Sequence, residues 1–573
     1  GIITVGDALG VASASVEMGS SAFIKSMISV LNGSELGFGV GALAYAETLN
    51  APKGSANLAM TQKVILAEGS GLTVGENTHP AAQEASGTTS LVFGDGTTTL
   101  VDCSLLKDGT GVFSSNGQAA SLTVAPTATL ILGNIEEAGD YTVVSGFDTA
   151  DNVSGNGWTG GWRGDKLYAL AQDGTGINWE LELHNDASRV WVSAILNDVL
   201  SMYPDIAVPN IANDELRHAQ KDAFTYGVLR RKDLSAAEKT AIVNSAANIS
   251  FASGALSAGF NDLTTALDSV ENRVSMKGES FTDEGLMRDW TLGNNLWIDL
   301  TAGKQKYKRF AATGIGEAGY KTDAFGFTLG FDRKVTSASI LGAAFSYNRG
   351  SLDSTGDVSK TKNKYNSYGI HAYGVYSPSS RLNVVGTLTY LRSSSDITQY
   401  INAAGFGNAD ADVKTNLFAA GIRVETTLKA RSSSVVPHAG IRYLYAKSEK
   451  YDTKVDEKKI WSNKTKANNA VQFPIGVALR GDISAAHGWN IRPQADLTFI
   501  PQVGSTNQRT TLTDVNGISD SISGEFAGNF GTNMNLGVQA DKGGTTFGLL
   551  YGFTGGSKGK ADHTLRLEAR WRF

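Results

Sequence analysis

The sequence predicts an all-β protein whose C-terminal half forms a transmembrane β-barrel of twelve strands, preceded by a long helix and a β-rich N-terminal segment. The first observation is a strict alternation of apolar and polar residues through the last half of the chain, which is the two-residue period of a strand. The second is that these segments of about ten residues are joined by alternately short and long connections, as in barrels with lipid outside and water inside. The third is composition: charged residues make up 18%, glycines number 66 and prolines 10, which favours strands and turns over disorder.

Composition also limits the classes of function. The net charge of −6 over 573 residues argues against nucleic-acid binding. Cys103 is the single cysteine, so no internal disulfide forms and we expect a buried, apolar role for it. No stretch of about eighteen apolar residues occurs, which predicts that the chain has no transmembrane helix. Gly1 begins no signal-peptide pattern, so we interpret the chain as processed or as a C-terminal fragment.

Residues 1–190 contain short β-branched runs that end at Gly, Asn or Asp. The clearest runs are 64–66, 72–74, 90–93, 99–101, 122–124, 130–132 and 141–144. Such short strands are typical of the stacked coils of a parallel β-helix. Because no exact period can be counted, an irregular sandwich remains an alternative.

Residues 191–252 predict a helical connector, in which Ser235 and Glu238 have the spacing of a capping box. Residues 253–276 predict a longer helix, because apolar residues recur at steps of three and four. This stripe consists of Leu256, Phe260, Leu263, Leu267, Val270 and Val274. The opposite face carries Asp262, Asp268 and Glu271. A helix of this length would reach about 36 Å, enough to cross an outer membrane.

Residues 290–573 predict the barrel. We expect its strands near 294–308, 320–333, 337–349, 363–377, 381–394, 412–429, 434–447, 468–482, 488–502, 530–541, 545–554 and 561–573. Twelve is an even number, which places both barrel ends on one side of the membrane; ten or fourteen strands would also fit the pattern. The last strand alternates from Ala561 to the end, with Trp571 and Phe573 on its apolar face.

The aromatic C-terminus, Trp571 and Phe573, resembles the assembly signal of bacterial outer-membrane barrels. A β-rich segment, a long helix and a barrel, in that order, resemble a type V secretion autotransporter. For residues 250–573 the resemblance rests on sequence motifs. For residues 1–250 it rests only on composition and on the order of the segments. It implies an N-terminal passenger at the cell surface and the helix 253–276 inside the pore as plug and tether. It also implies three kinds of partner: the outer-membrane lipid bilayer, the barrel-assembly machinery and periplasmic chaperones.

The predicted inner wall of the barrel is rich in arginine, which offers partners for the acids of the helix. On the expected register Arg423, Arg442, Arg480, Arg492, Arg566 and Arg570 point inward. We hypothesise that they form charge-assisted hydrogen bonds with Asp262, Asp268 and Glu271. The alternative is that these arginines face water and only set the strand register.

Three functional readings compete. The favoured one is an autotransporter that exports and anchors an adhesin-like or other surface protein and catalyses no reaction. The rival is a porin-like channel with a periplasmic N-terminal domain, and the third is an enzymatic passenger, for which residues 1–250 show no catalytic triad. No cofactor or metal motif is recognisable: the GxGxxG match at 314–319 falls between two predicted antiparallel strands. Arg163–Gly164–Asp165 could present a ligand to a host surface, and Asn261 is a candidate for self-cleavage within the helix.

Overall fold

The computed structural model describes ten short strands between residues 2 and 74 and then most of the remaining chain. The described ranges beyond residue 74 are 89–106, 111–115, 120–149, 161–162, 164–169, 177–275, 294–356, 361–401, 407–430 and 433–573. Two compact units result. The N-terminal unit comprises Gly1–Asp205 and Ala212–Thr240, and the barrel unit comprises Ile206–Ile211 and Ala241–Phe573.

The N-terminal unit is built from three sheets of parallel strands, and successive strands along the chain mostly move from one sheet to another. The first sheet contains Ile2–Val5, Met27–Val30, Val64–Leu66, Phe113–Ser115 and Gly139–Ser145. The second contains Ser15–Met18, Glu35–Phe38, Gly71–Val74, Thr89–Phe93 and Ala120–Val124. The third contains Ala22–Ile24, Leu58–Met60, Thr98–Asp102, Thr129–Gly133 and Leu167–Ala169. A short antiparallel pair, Leu43–Ala44 with Ser55–Ala56, stands apart.

Aligned apolar residues in these sheets form the core of the unit. Leu91 pairs in register with Leu122, and Phe93 with Val124; all four side chains are fully buried. Cys103 lies in the same core, as expected. Parallel pairing differs from the antiparallel sheets of a sandwich.

Two antiparallel strands, Trp179–Asn185 and Arg189–Leu196, extend the first sheet. The second of these overlaps the range 191–252 that we predicted to be helical, and the first helix starts only at Val199. Burial explains the difference, because Val190, Val192 and Ala194 alternate with more exposed residues. That two-residue period is typical of a strand, and it places residues 191–196 in the sheet although helix-forming residues follow them.

Six α-helices follow within the described range 177–275: α1 (Val199–Met202), α2 (Pro209–Arg217), α3 (Phe224–Leu229), α4 (Ala236–Ala247), α5 (Ile249–Ala252) and α6 (Ala255–Arg273). The capping box at the start of α4 is confirmed, since Ser235 N donates to Glu238 Oε2 over 2.8 Å and Glu238 N donates to Ser235 Oγ over 3.3 Å.

Gly254 separates α5 from α6. Its φ is +58°, a left-handed conformation that favours glycine, and a Cβ there would lie 2.8 Å from the Tyr320 ring. The long helix is therefore shorter than the predicted 253–276, at 19 residues. Among the described helices, none is both long enough and apolar enough to cross a bilayer.

The barrel is closed and has twelve strands, as the sequence predicts. They are β1 (Asn294–Ala312), β2 (Ile315–Thr336), β3 (Ser339–Gly356), β4 (Thr361–Ser379), β5 (Leu382–Gln399), β6 (Ala409–Thr426, then Leu428–Ala430), β7 (Ser433–Ser448), β8 (Asn468–Gln472, Ile475–Gly481 and Ile483–Ser484), β9 (Asn490–Gly504), β10 (Phe530–Lys542), β11 (Thr545–Gly556) and β12 (Lys560–Arg572). Neighbours pair antiparallel, and β12 pairs with β1. Most strands extend beyond their predicted ends on the side of the long connections, which we call the long-loop side.

Apolar side chains cover the outer wall. Phe325, Leu329, Leu497 and Leu567 are each at least 40% exposed, as lipid-facing residues of a barrel are. Toward the long-loop side, tyrosine hydroxyls donate to asparagines on the next strand, in the pairs Tyr347–Asn366, Tyr390–Asn416 and Tyr443–Asn469. Amphipathic tyrosines at this level indicate one membrane–water boundary.

Two hairpins extend the wall on the long-loop side. The first is Tyr451–Val455 with Lys458–Thr465, and the second is Asn507–Thr513 with Ser519–Glu525. The first pairs with β6, the two pair with each other, and the second meets β1 at Ala312. Together with β1–β6 they close a ring of ten strands, which we call the collar.

Candidate functional site: the pore and its helix

The long helix α6 lies inside the barrel and runs from its long-loop side toward its short-turn side. At its start, Gly254 lies against Tyr320 and Leu352 near the long-loop ends of β2 and β3. At its end, Arg273 bonds Asp332 near the short-turn end of β2. The 19 residues of α6 span about 28 Å, so the helix passes through most of the lumen.

The apolar stripe of α6 packs against one side of the wall, where the inward-facing residues are apolar rather than polar. Leu256, Phe260, Leu263 and Leu267 meet Leu391, Leu417 and Leu444 of β5–β7. Val270 and Val274 continue onto a cluster that includes Trp297, Ile340 and Tyr373. Gly259 allows close approach, because a Cβ there would lie 3.3 Å from Leu417. The helix is thereby held off-centre, against β3–β7.

Two of the predicted wall arginines bind two of the predicted helix acids. Arg423 Nη1 lies 2.6 Å from Glu271 Oε2. Arg442 Nη2 lies 2.6 Å from the same oxygen and 2.8 Å from Asp268 Oδ1. Glu425 joins the cluster through Arg423 Nε at 2.7 Å. We call these five residues the arginine cluster.

Glycines on the neighbouring strands make room for these arginines. Gly440 pairs with Arg423, and Gly421 pairs with Arg442. A Cβ on Gly440 would lie 3.3 Å from the Cβ of Arg423. Because both guanidinium groups are buried and charged, their multiple hydrogen bonds to carboxylates are what make the burial tolerable.

The third acid, Asp262, has a different environment from the one we hypothesised. Ser367 Oγ donates to Asp262 Oδ2 over 2.6 Å, so its partner is a hydroxyl rather than a guanidinium. Adjacent Asn261 donates its amide to Gln305 and accepts from Lys560 Nζ at 3.1 Å. Self-cleavage at Asn261 stays a prediction.

The remaining predicted wall arginines lie on β8, β9 and β12 and also face inward. Arg566 Nη2 donates to the Thr265 carbonyl of α6 over 3.1 Å. Arg570 donates to Thr546 over 2.7 Å, and Arg492 lies 3.5 Å from Asp541. Arg480 is 5% exposed. Arg566 thus bonds the helix, and Arg570 and Arg492 contact residues of the wall.

The sequence reasoning missed a second anchor of the helix. Arg273 Nη2 lies 3.0 Å from Asp332 Oδ1, and both side chains are almost fully buried. Tyr373 donates to the other oxygen of Asp332 over 2.9 Å and accepts from Trp297 Nε1 over 2.7 Å. The sequence feature that could have revealed this anchor is Asp332, an acidic residue at an inward-facing position of β2. The last turns of α6 are therefore bonded to both sides of the wall.

The predicted terminal aromatics lie on the outer face of β12. Trp571 is 40% exposed and Phe573 is 62% exposed. Phe573 and Asn294 exchange two backbone hydrogen bonds, of 3.0 and 3.2 Å, so the last residue takes part in closing the barrel. The Gly314–Gly319 match falls at the β1–β2 hairpin, and Arg163 lies outside the described residues.

Residues 296–552 match the family model described as autotransporter beta-domain. No curated protein matches the chain. Among solved structures, the translocator domain of the autotransporter NalP from Neisseria meningitidis is 15% identical, with a TM-score of 0.42 over 57% of this chain and 100% of that one. The β-domain of the Bordetella autotransporter BrkA is 16% identical, with a TM-score of 0.37 over 49% and 100%. The transport unit of AIDA-I from Escherichia coli is 10% identical, with a TM-score of 0.38 over 54% and 98%.

Proposed function

Because the chain is a type V autotransporter of the outer membrane, with its β-domain at residues 296–552, we propose that the barrel unit exports the N-terminal unit and anchors it at the cell surface. In this proposal α6 is both tether and plug. The barrel-assembly machinery inserts the barrel, and periplasmic chaperones accompany the chain to it.

The direction of α6 is the observation that carries this proposal. Its first residue follows Gly254 at the long-loop side, and its last turn is fixed by Arg273 at the short-turn side. Long loops of outer-membrane barrels face outward, so the chain that precedes α6 leaves the pore toward the outside. A porin-like channel with a periplasmic N-terminal domain would need the opposite direction.

We further propose that the N-terminal unit is the end of a β-helical passenger that acts by contact and catalyses no reaction. Its parallel sheets with buried, aligned apolar residues are suited to stacked coils. The antiparallel pair Trp179–Asn185 and Arg189–Leu196 would then cover the last coil. Such a rigid passenger could present a ligand-binding surface to a host cell, as an adhesin does.

Epitope tags at three turns test the topology. The test tag follows Ala187 in the turn of the N-terminal unit, and one control tag follows Asn516 in the second collar hairpin. The other control tag is placed between Gly543 and Gly544 in the short β10–β11 turn. Antibody should label the tags at 187 and 516 on intact cells and the tag at 543 only after permeabilisation.

Each outcome has a distinct meaning. If the 187 tag is protected together with the 543 tag while the 516 tag is labelled, the N-terminal unit lies in the periplasm and the proposal fails. If the 516 tag is protected and the 543 tag is labelled, the long-loop side faces inward and the direction argument is wrong.

A further inference from the structure

The off-centre seating of α6 leaves cavities on the opposite side of the lumen. A cavity of about 110 Å³ lies between the polar face of α6 and strands β8–β12. Asn261, Thr264 and Asp268 line it from the helix, and Lys560, Asp562 and Arg566 line it from β12. It reaches the long-loop rim at Gly528 and Ser557. A polar cavity of this size has room for several water molecules.

Two smaller cavities follow along the same face of α6 toward its C-terminal end. One is lined by Asn272, Asp496 and Glu568, and the other by Ser269, Arg273 and Asp299. The first of these cavities measures about 30 Å³ and the second about 10 Å³, and polar side chains line both beside apolar ones. Together the three cavities outline a path beside the helix that narrows toward the short-turn side.

Leu550 of β11 interrupts this path. It is the one side chain among the described residues that lines all three cavities. On its strand the inward positions on either side are Gly548 and Gly552. On the next strand it faces Gly537, where a Cβ would lie 2.8 Å from Leu550 Cγ. A bulky apolar side chain therefore projects into the lumen between two inward glycines of its own strand and opposite a glycine of the neighbouring strand.

We propose that Leu550 is a hydrophobic barrier that keeps the water on the two sides of it apart. Its energetic basis is that an apolar constriction disfavours a continuous column of water and the ions that need it. The inference concerns the seated helix and the barrel. It does not rest on the surface display of the N-terminal unit, so the tag experiment can fail without affecting it.

Single-channel recording of the full-length protein in planar lipid bilayers tests this barrier. The unaltered protein should conduct poorly, and Leu550→Ala should conduct severalfold more. Leu549→Ala is the matched control, because the same atoms are removed from the adjacent residue, which faces lipid and is 45% exposed. Leu550→Met should leave the conductance low, since the barrier stays apolar and similar in volume.

Leu550→Asn separates wetting from widening, because asparagine is close to leucine in size but polar. It should raise conductance even without a new cavity. Each variant should keep the gel mobility of the folded barrel in unheated detergent samples, which shows that the barrel is intact. The proposal is overturned if folded Leu550→Ala and Leu550→Asn both conduct as little as the unaltered protein. An equal rise with Leu549→Ala, or an unaltered protein that already conducts as well as Leu550→Ala, would overturn it too.

Discussion

At the scale of residues, the arginine cluster explains how a charged helix can be buried in a barrel. Two guanidinium groups face three carboxylates, of which Asp268 and Glu271 come from α6 and Glu425 from the wall. Every one of the four contacts is 2.8 Å or shorter. Replacing all members of such a cluster by apolar groups would change the stability of the fold little. Removing one member is strongly destabilising, because it leaves a buried charge without its partner.

We expect Arg442→Met to destabilise the barrel unit by about 3–5 kcal/mol, because the buried carboxylates of Glu271 and Glu425 would then share one guanidinium and the partly exposed Asp268 would lose its arginine. Thermal unfolding in detergent, followed by gel mobility, measures the change. Arg442→Lys is the matched control, because it keeps a positive charge beside Glu271 and Asp268. Its effect should be smaller.

A second substitution distinguishes charge imbalance from lost packing. Arg442→Met combined with Glu271→Gln removes one charge of each sign, so the double variant should be more stable than the sum of the two single effects predicts. Additive effects would show that the cluster does not act as one unit.

The residue pattern explains why Asp268 and Glu271 could be assigned to the pore from the sequence while Asp262 met a different partner. Alternation placed the arginines on the inner wall, and helical spacing placed the acids on one face of α6. Which acid reaches which wall residue depends on the rotation and off-centre position of the helix. Those follow from contacts such as Leu263 with the inward leucines of β5–β7, which no local pattern reveals.

At the scale of elements, α4 begins with a cap that the sequence predicted and whose effect can be measured. We expect Ser235→Ala to weaken the first turn of α4 by about 1 kcal/mol, because Glu238 N loses its acceptor. Faster hydrogen exchange of the first-turn amides measures this loss. Thr240→Ala is the control on the same helix, since its hydroxyl bonds the Ala236 carbonyl rather than a free amide.

The same cap should depend on pH. Hydrogen bonds from the side chain and the backbone of Ser235 lower the pKa of Glu238 below its ordinary value. A carboxyl group with a lowered pKa in the folded state stabilises that state above its unfolded pKa and loses this effect as pH falls through the folded pKa. The protection of the first turn should therefore be full at neutral pH and decline in acid. Protection that rises on acidification would contradict this assignment.

Element boundaries show where local patterns are insufficient. Strand centres follow from alternation, but their long-loop ends follow from pairing with neighbours, as where β1 continues to Ala312 opposite Ile315. The collar hairpins lie in stretches that we predicted as loops, at 448–467 and 503–529. Their strands are stabilised by pairing with each other and with β6 and β1, which are distant in sequence.

At the scale of the whole molecule, closure brings Phe573 beside Asn294 through backbone hydrogen bonds. The Phe573 side chain is 62% exposed on the lipid face, so the fold itself gains little from it. We expect Phe573→Ala to reduce the amount of folded barrel in the outer membrane severalfold, because the resemblance assigns this residue to recognition during assembly. Immunoblots of unheated and heated membrane fractions measure the folded amount.

Phe530→Ala is the matched control, because it removes another outward aromatic ring, which is 45% exposed, from a position remote from the C-terminus. It should assemble normally. Equal losses for both variants would mean that any lipid-facing aromatic matters and that the terminal position has no special role.

The collar has a consequence for the order in which the molecule is completed. Adjacent strands lie about 4.8 Å apart, so a ring of ten strands has a perimeter roughly 10 Å shorter than a ring of twelve. Phe251 of α5 already lies against Gly524 on the inner side of this narrower ring. If the barrel unit exports the N-terminal unit as proposed, the pairing of Ser462–Thr465 with Thr510–Thr513 would form last, once a single helical segment remains in the opening. Closure of the collar would then follow the end of export.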